Sequence, residues 1–237
     1  MQINEEMELK LEHKIIHQLL LGSSMGSETG LYHGKMGLVL FFAHYFRYTG
    51  QPVFDEMADE LMDELKQEIH TELPVGFASG LSGIGWGVEY LIQNGFADDD
   101  SWKVCRNIDK KIMERDPRRI TDYSLDTGLE GILHYVLAHI KGVMSQHSEL
   151  PFDETYLSDL YQVVTTIPQD TELSENFKFL SSKYADFYEK RVGLDYAMQP
   201  LIIMEDVEIK EKDRLNEFPL GLKNGLSGFF LKKLIAN

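Results

Sequence analysis

The feature that most limits how this chain can fold is a recurring glycine pattern, Gly-x-x-Gly leading into an apolar run. It is fullest at Gly76–Ile92, Gly-Phe-Ala-Ser-Gly-Leu-Ser-Gly-Ile-Gly-Trp-Gly-Val-Glu-Tyr-Leu-Ile. Gly30-Leu-Tyr-His-Gly34-Lys-Met-Gly37 leads into Leu38–Phe42, and Ser124-Leu-Asp-Thr-Gly128-Leu-Glu-Gly131 leads into Ile132–Ile140. Gly221-Leu-Lys-Asn-Gly225-Leu-Ser-Gly228 leads into Phe229–Ile235. The last glycines, Gly37, Gly83, Gly131 and Gly228, stand 46, 48 and 97 residues apart. The long step spans about two of the others, which places a further copy, stripped of its glycines, near Asn176–Tyr188. A unit of this length holds a helical hairpin.

The stretches between the copies complete the hairpins. Phe54, Met57, Ala58, Leu61, Met62, Leu65 and Ile69 form a helical stripe opposite a charged face. Trp102–Arg115 and Pro151–Val164 read the same way, and Glu5–Leu21 is amphipathic, with Leu11, Ile15 and Leu19 on one side. Thr49-Gly50-Gln51-Pro52 stops one helix and starts the next. Met36–Tyr48, by contrast, is apolar nearly all round, as a buried helix is. Buried and amphipathic helices in alternation predict an all-α fold: one α/α toroid over residues 1–237, of about five helical hairpins, with Gly-x-x-Gly at the inner-helix entrances. The first helix is expected beside the last. Glycines three apart share a helix face and let backbones approach closely, and glycine also accepts the unusual dihedrals of an entering turn. Residues 193–216 show no readable pattern, and no segment offers several strands of period two.

The balance of 23 Lys and Arg against 39 Asp and Glu, a net charge of −16, disfavours a nucleic-acid or anionic-membrane surface, either of which needs a basic stripe. The single cysteine, Cys105, rules out an intrachain disulfide and a Cys-rich zinc site. The N-terminus lacks the basic and apolar regions of a signal peptide, and no apolar run approaches the ~20 residues of a membrane span. A cytoplasmic protein is expected.

The four copies at Gly30–Gly37, Gly80–Gly83, Ser124–Gly131 and Gly221–Gly228 together resemble the lanthionine synthetase C-like family, whose inner helices begin with a Gly-Leu-x-x-Gly-x-x-Gly-like signature around an α/α barrel. The resemblance implies a link to peptide modification. Cyclase members bind zinc through two cysteines and a histidine, in Trp-Cys-x-Gly and Cys-His-Gly motifs. That zinc activates a peptide thiol, which adds to a dehydrated serine or threonine to form a thioether. Neither motif is present here. The expectation is therefore a protein without the zinc-dependent cyclase activity, with no metal or other cofactor. It would bind a peptide or a partner modification enzyme in its central cavity. Two alternatives stand beside it: a metal-independent carbohydrate-active enzyme of the toroid class, and a pure protein-interaction scaffold.

Three residues are candidates for acid–base work. Gly30-Leu31-Tyr32-His33-Gly34 matches the family's Gly-Leu-x-His-Gly pattern, whose histidine serves cyclases in proton transfer, and imidazole titrates near neutral pH. Alternatively, His33 bonds a loop or helix end. Asp126 and Glu130 flank the third entrance, and a toroid glycoside hydrolase would need such a carboxylate pair. Asp126 reads equally as a helix N-cap, with Glu130 favoured by the helix dipole. Tyr32, Lys35, Ser79, Ser82 and Asn224 are the candidate binding residues at the entrances, where converging helix N-termini would offer backbone donors to an anion or a peptide carboxylate. His13 and His17 share a face of the first helix and read as two exposed histidines, while His134 and His139, five apart, do not share one.

Overall fold

The computed structural model describes residues 2–23, 28–69, 73–168, 171–191, 193–202, 208–210 and 212–236, and among them every regular element is helical. The α-helices are α1 (Gln2–Ser23), α2 (Lys35–Thr49), α3 (Pro52–Glu68), α4 (Leu81–Gln93), α5 (Ser101–Val104), α6 (Arg106–Met113), α7 (Leu129–Met144), α8 (Glu154–Thr166), α9 (Glu175–Lys190) and α10 (Leu226–Ala236). No helix among the described residues is long and apolar enough to cross a membrane. Contacts group the chain into two compact units, Met1–Glu68 with Met198–Asn237, and Ile69–Ala197.

In the first unit α2 is buried without a break from Lys35 to Ala43, as its all-round apolar sequence predicts. It ends where Gly50 turns left-handed, at φ 66°, and returns its N–H to the Phe46 carbonyl at 2.7 Å. Pro52 then opens α3, which buries Phe54, Ala58, Leu61 and Leu65. Phe54 meets Tyr45 edge-on at 4.6 Å and stacks on Phe42 at 6.3 Å. Phe230 of α10 meets Phe41 and Tyr45 edge-on. Helix α1 lies against α2 and α10 and buries Leu11, Ile15 and Leu19. Each such side chain removed from water contributes about 1.5–3 kcal/mol.

In the second unit α4 is buried from Leu81 to Leu91 and α7 from Leu129 to Ile140. The two pack together because Gly85 leaves room for the Tyr135 ring, which any Cβ there would overlap. The expected outer helix at Trp102–Arg115 is broken at Cys105 into α5 and α6. Asp153 caps α8, accepting from the Tyr156 N–H at 2.8 Å. Helix α9 covers the stretch expected to hold the glycine-less copy. Its entrance is of another kind: the Ser174 hydroxyl caps it, accepting from the Phe177 N–H at 2.9 Å. It buries one face, Phe177, Leu180, Ser181, Tyr184 and Phe187, against α7 and α8. Of residues 193–216, the described part has only single 3-10 turns at Gln199–Leu201 and Leu215–Glu217, and residues 203–207 and 211 lie outside the described residues.

The glycine copies share one local device. At each, the first N–H of the helix reaches back seven residues to a loop carbonyl: Lys35 to Glu28 (2.6 Å), Leu81 to Pro74 (2.9 Å), Leu129 to Asp122 (2.9 Å) and Leu226 to Pro219 (2.8 Å). The loop thus closes as a clasp over the helix start. The glycine just before the helix (Gly34, Gly80, Gly128, Gly225) lies under that carbonyl, where a Cβ would overlap it. At Gly37, Gly131 and Gly228 a Cβ would strike the carbonyls of Leu31, Leu125 and Leu222 in the same loops. Unusual dihedrals, the second reason expected for these glycines, are absent at the N-caps. Gly34, Gly80 and Gly128 have φ of −129°, −139° and −105°, extended values open to any residue, so the requirement there is steric.

Candidate functional site

Clasps also dock on one another. Gly76 brings the α4 clasp against the α7 clasp, where the Asp126 carbonyl accepts from the N–H groups of Phe77 (2.9 Å) and Ala78 (3.0 Å). In the first unit Gly221 does the same, and the Tyr32 carbonyl accepts from the Lys223 N–H at 3.1 Å. Beside the first of these joints opens a cavity of about 330 Å³. Pro74, Val75, Gly76, Ser79 and Gly80 line it from the α4 clasp, and Asp122, Asp126 and Thr127 from the α7 clasp. Arg115 and Arg119, both exposed, complete the rim. Asp122 holds its wall in place, accepting from the Thr127 hydroxyl at 2.6 Å and the Ser124 N–H at 2.8 Å. Those bonds hold its carboxyl below the usual carboxylate range.

The cavity brings together Ser79 and Asp126 of the expected residues. Asp126 is not the helix cap: the N-cap of α7 is Gly128, and Asp126 supplies its backbone carbonyl to the neighbouring clasp. Ser82 is buried, its hydroxyl donating to the Val75 carbonyl at 2.6 Å. Glu130 is buried and accepts from the Ser174 hydroxyl and the Asn176 amide, both at 2.7 Å. Tyr32, His33, Lys35 and Asn224 belong to the other unit. His33 is exposed and Tyr32 is buried, with the Lys223 ammonium 5.6 Å from its ring centre. Lys35 is buried and bound by Glu68 (2.6 Å) and Glu64 (2.9 Å). Burial works to lower its pKa, but the two carboxylates outweigh this and raise it. Asn224 takes a left-handed turn, φ 54°, between the α10 clasp glycines. The expected donor sites at the helix starts are occupied, because the first two N–H groups of α2, α4 and α10 already bond their own clasps.

Two buried polar networks escape simple sequence reading. In one, the Tyr196 hydroxyl bridges His134 Nδ1 (2.7 Å) and Trp86 Nε1 (2.9 Å), and His134 Nε2 meets the Asn176 amide at 2.9 Å. Burial depresses His134 to about 3, so it is neutral. In the other, His139 lies between two carboxylates, Nδ1 2.5 Å from Glu89 and Nε2 3.1 Å from Asp109. Burial would lower its pKa, but the Asp109 and Glu89 bonds prevail and raise it to about 9. The Tyr135 hydroxyl donates to Asp109 at 2.5 Å, and the Gln93 amide donates to Glu89 at 2.7 Å. Cys105 adjoins them, fully buried. Burial and the charges of Glu89 and Asp109 push its thiol well up, against a hydrogen bond with Tyr135. A usable sequence signal existed: Glu89 and His139 are charged or titratable residues inside two of the most apolar segments.

Residues 27–191, more than half of the chain, match a family model described as lanthionine synthetase C-like protein. Neither a curated protein nor a solved structure matches the chain.

Proposed function

The chain belongs to the lanthionine synthetase C-like family, and from that premise we propose that it is a peptide-modification protein without the thioether-forming zinc centre, gripping a peptide segment at the cavity between the α4 and α7 clasps. The observation that carries the reading is that cavity. It opens at the entrances of two buried helices and offers Ser79, Thr127, Asp126 and two arginines around an apolar floor that includes Ala78 and Ile132. Such a mix of apolar lining and a few polar groups suits a short peptide segment. A clasp joint of the same kind within each unit is what supports the α/α toroid reading.

The residues do not fit the family's zinc. Its two-cysteine, one-histidine set needs two thiolates, and the single cysteine lies at the α5–α6 junction, in none of the clasp segments. Binding is favoured over carbohydrate hydrolysis because Glu130, one half of the carboxylate pair that reaction needs, is buried and held by Ser174 and Asn176. The partner is a peptide, or a modification enzyme presenting one, in the cytoplasm.

The test is selection from a displayed library of random linear peptides, followed by affinity measurement with Ser79→Trp, which fills the cavity from a half-buried position. A selected peptide that binds the folded variant at least ~10-fold more weakly, a loss of about 1.4 kcal/mol, supports the reading. Failure to enrich any peptide, or equal affinity for the variant, refutes it.

A further inference from the structure

The Glu89, Cys105 and His139 side chains are fully buried, and one donor atom of each lies within 4.8 Å of the others. They come from three elements: α4, the α5–α6 junction and α7. We propose that this cluster is a site for a divalent transition metal of the zinc class, independent of the clasps and of the peptide cavity.

Three observations converge. First, the donors are one carboxylate oxygen, one sulfur and one imidazole nitrogen. That set suits zinc and cobalt and disfavours calcium and magnesium, which take oxygen. Second, the histidine is already oriented for the task. Its Nε2 faces Asp109 at 3.1 Å while Nδ1 faces Glu89 at 2.5 Å. A carboxylate holding one ring nitrogen while the other meets the metal is the usual outer support of a metal-bound histidine. Tyr135 and Gln93 hold Asp109 and Glu89 in turn. Gly142, one turn after His139, has no Cβ where the Glu89 carboxylate lies, so α7 is shaped around that group.

Third, a fully buried site must offset the charge of a dication, and the Glu89 carboxylate together with Cys105, which would bind metal as the thiolate, supplies ligands able to do so. The Glu89–His139 pair opens from hydrogen-bond to coordination distance, and the three donors leave one position for a small ligand such as water. The site would tie α5 and α6 to α4 and α7.

Cobalt(II) titration of the reduced, untagged, full-length chain tests this, with a weak chelator as competitor. The expected result is one equivalent bound, with a thiolate-to-cobalt charge-transfer band and intense tetrahedral visible bands, both lost when zinc is added. Cys105→Ser loses the charge-transfer band and most of the affinity. Asp109→Asn keeps the band with affinity about 10–100-fold lower. A folded wild-type chain that takes up no cobalt, or equal cobalt affinity in Cys105→Ser, overturns the proposal. Should the variant not fold, the wild-type titration decides alone. The peptide reading stands or falls separately, by the Ser79→Trp affinity.

Discussion

Gly80→Ala is the most informative single change, because the structure assigns its cost to one cause. Gly80 has φ −139° and ψ −163°, values that alanine adopts freely. In a loop of that geometry alone, the substitution would be neutral or stabilising by about 0.4–1 kcal/mol. Its Cβ, however, would overlap the Pro74 carbonyl and lie 2.7 Å from the Gly76 carbonyl. Relief requires the clasp to open. Opening loses the Leu81 N–H bond to Pro74, the Ser82 N–H bond to Val75 and the Ser82 hydroxyl bond to Val75. At about 1 kcal/mol for each bond, the sum is roughly 3 kcal/mol, and more where a buried group is left unpaired. That is a large part of the 5–15 kcal/mol typical of a domain. Urea unfolding followed by circular dichroism should show a lowered midpoint with little change in slope. Gly193→Ala is the control, since none of the described residues lies within 4 Å of its Cβ and no left-handed φ is involved; it should stay within about 1 kcal/mol of wild type. A Gly80→Ala protein as stable as the Gly193→Ala protein would refute the steric account of the repeated glycine.

Three other outcomes follow from buried and half-buried polar groups. Tyr196→Phe strips His134 and Trp86 of a shared partner and should cost about 2–4 kcal/mol, read by the same denaturation. His134 has a folded pKa near 3, below its ordinary value near 6.5, so its contribution is complete above 6.5 and is lost as pH falls toward 3. His44, depressed to about 4 by burial and then by Arg47, acts with the same sign. Between pH 6.5 and 5 each should remove about 2 kcal/mol, and His134→Gln should flatten that slope by its share. Lys35→Met should cost only about 1 kcal/mol, because Glu64 and Glu68 are half-exposed or nearly so and regain water when the ammonium goes.

How much was legible follows from where the physical signal lay. Helix α3 was readable because its burial repeats at helical spacing, and the α2–α3 turn because Gly50 and Pro52 are its only sensible punctuation. The four entrances were readable as a repeat, yet their meaning was not. Glycine spacing indicates close approach without saying that the approaching group is a loop carbonyl six residues earlier. Helix α9 is legible from the repeat length, although Ser174 supplies its cap by ordinary side-chain chemistry. Ser79 and Asp126 stand at two of these entrances, but backbone carbonyls of the clasps take up the N–H donors that helix starts would offer there. The Glu89–Cys105–His139 cluster went unseen because its members stand 16 and 34 residues apart and only the packing of three elements unites them.

The central claim is that the cavity between the α4 and α7 clasps receives a peptide. Amide hydrogen exchange, with and without a saturating display-selected peptide, tests it most directly. The account predicts slowed exchange in residues 73–80 and 121–128, with little change in α3 or α8. Protection confined to other segments, with none in these two loops, would contradict it.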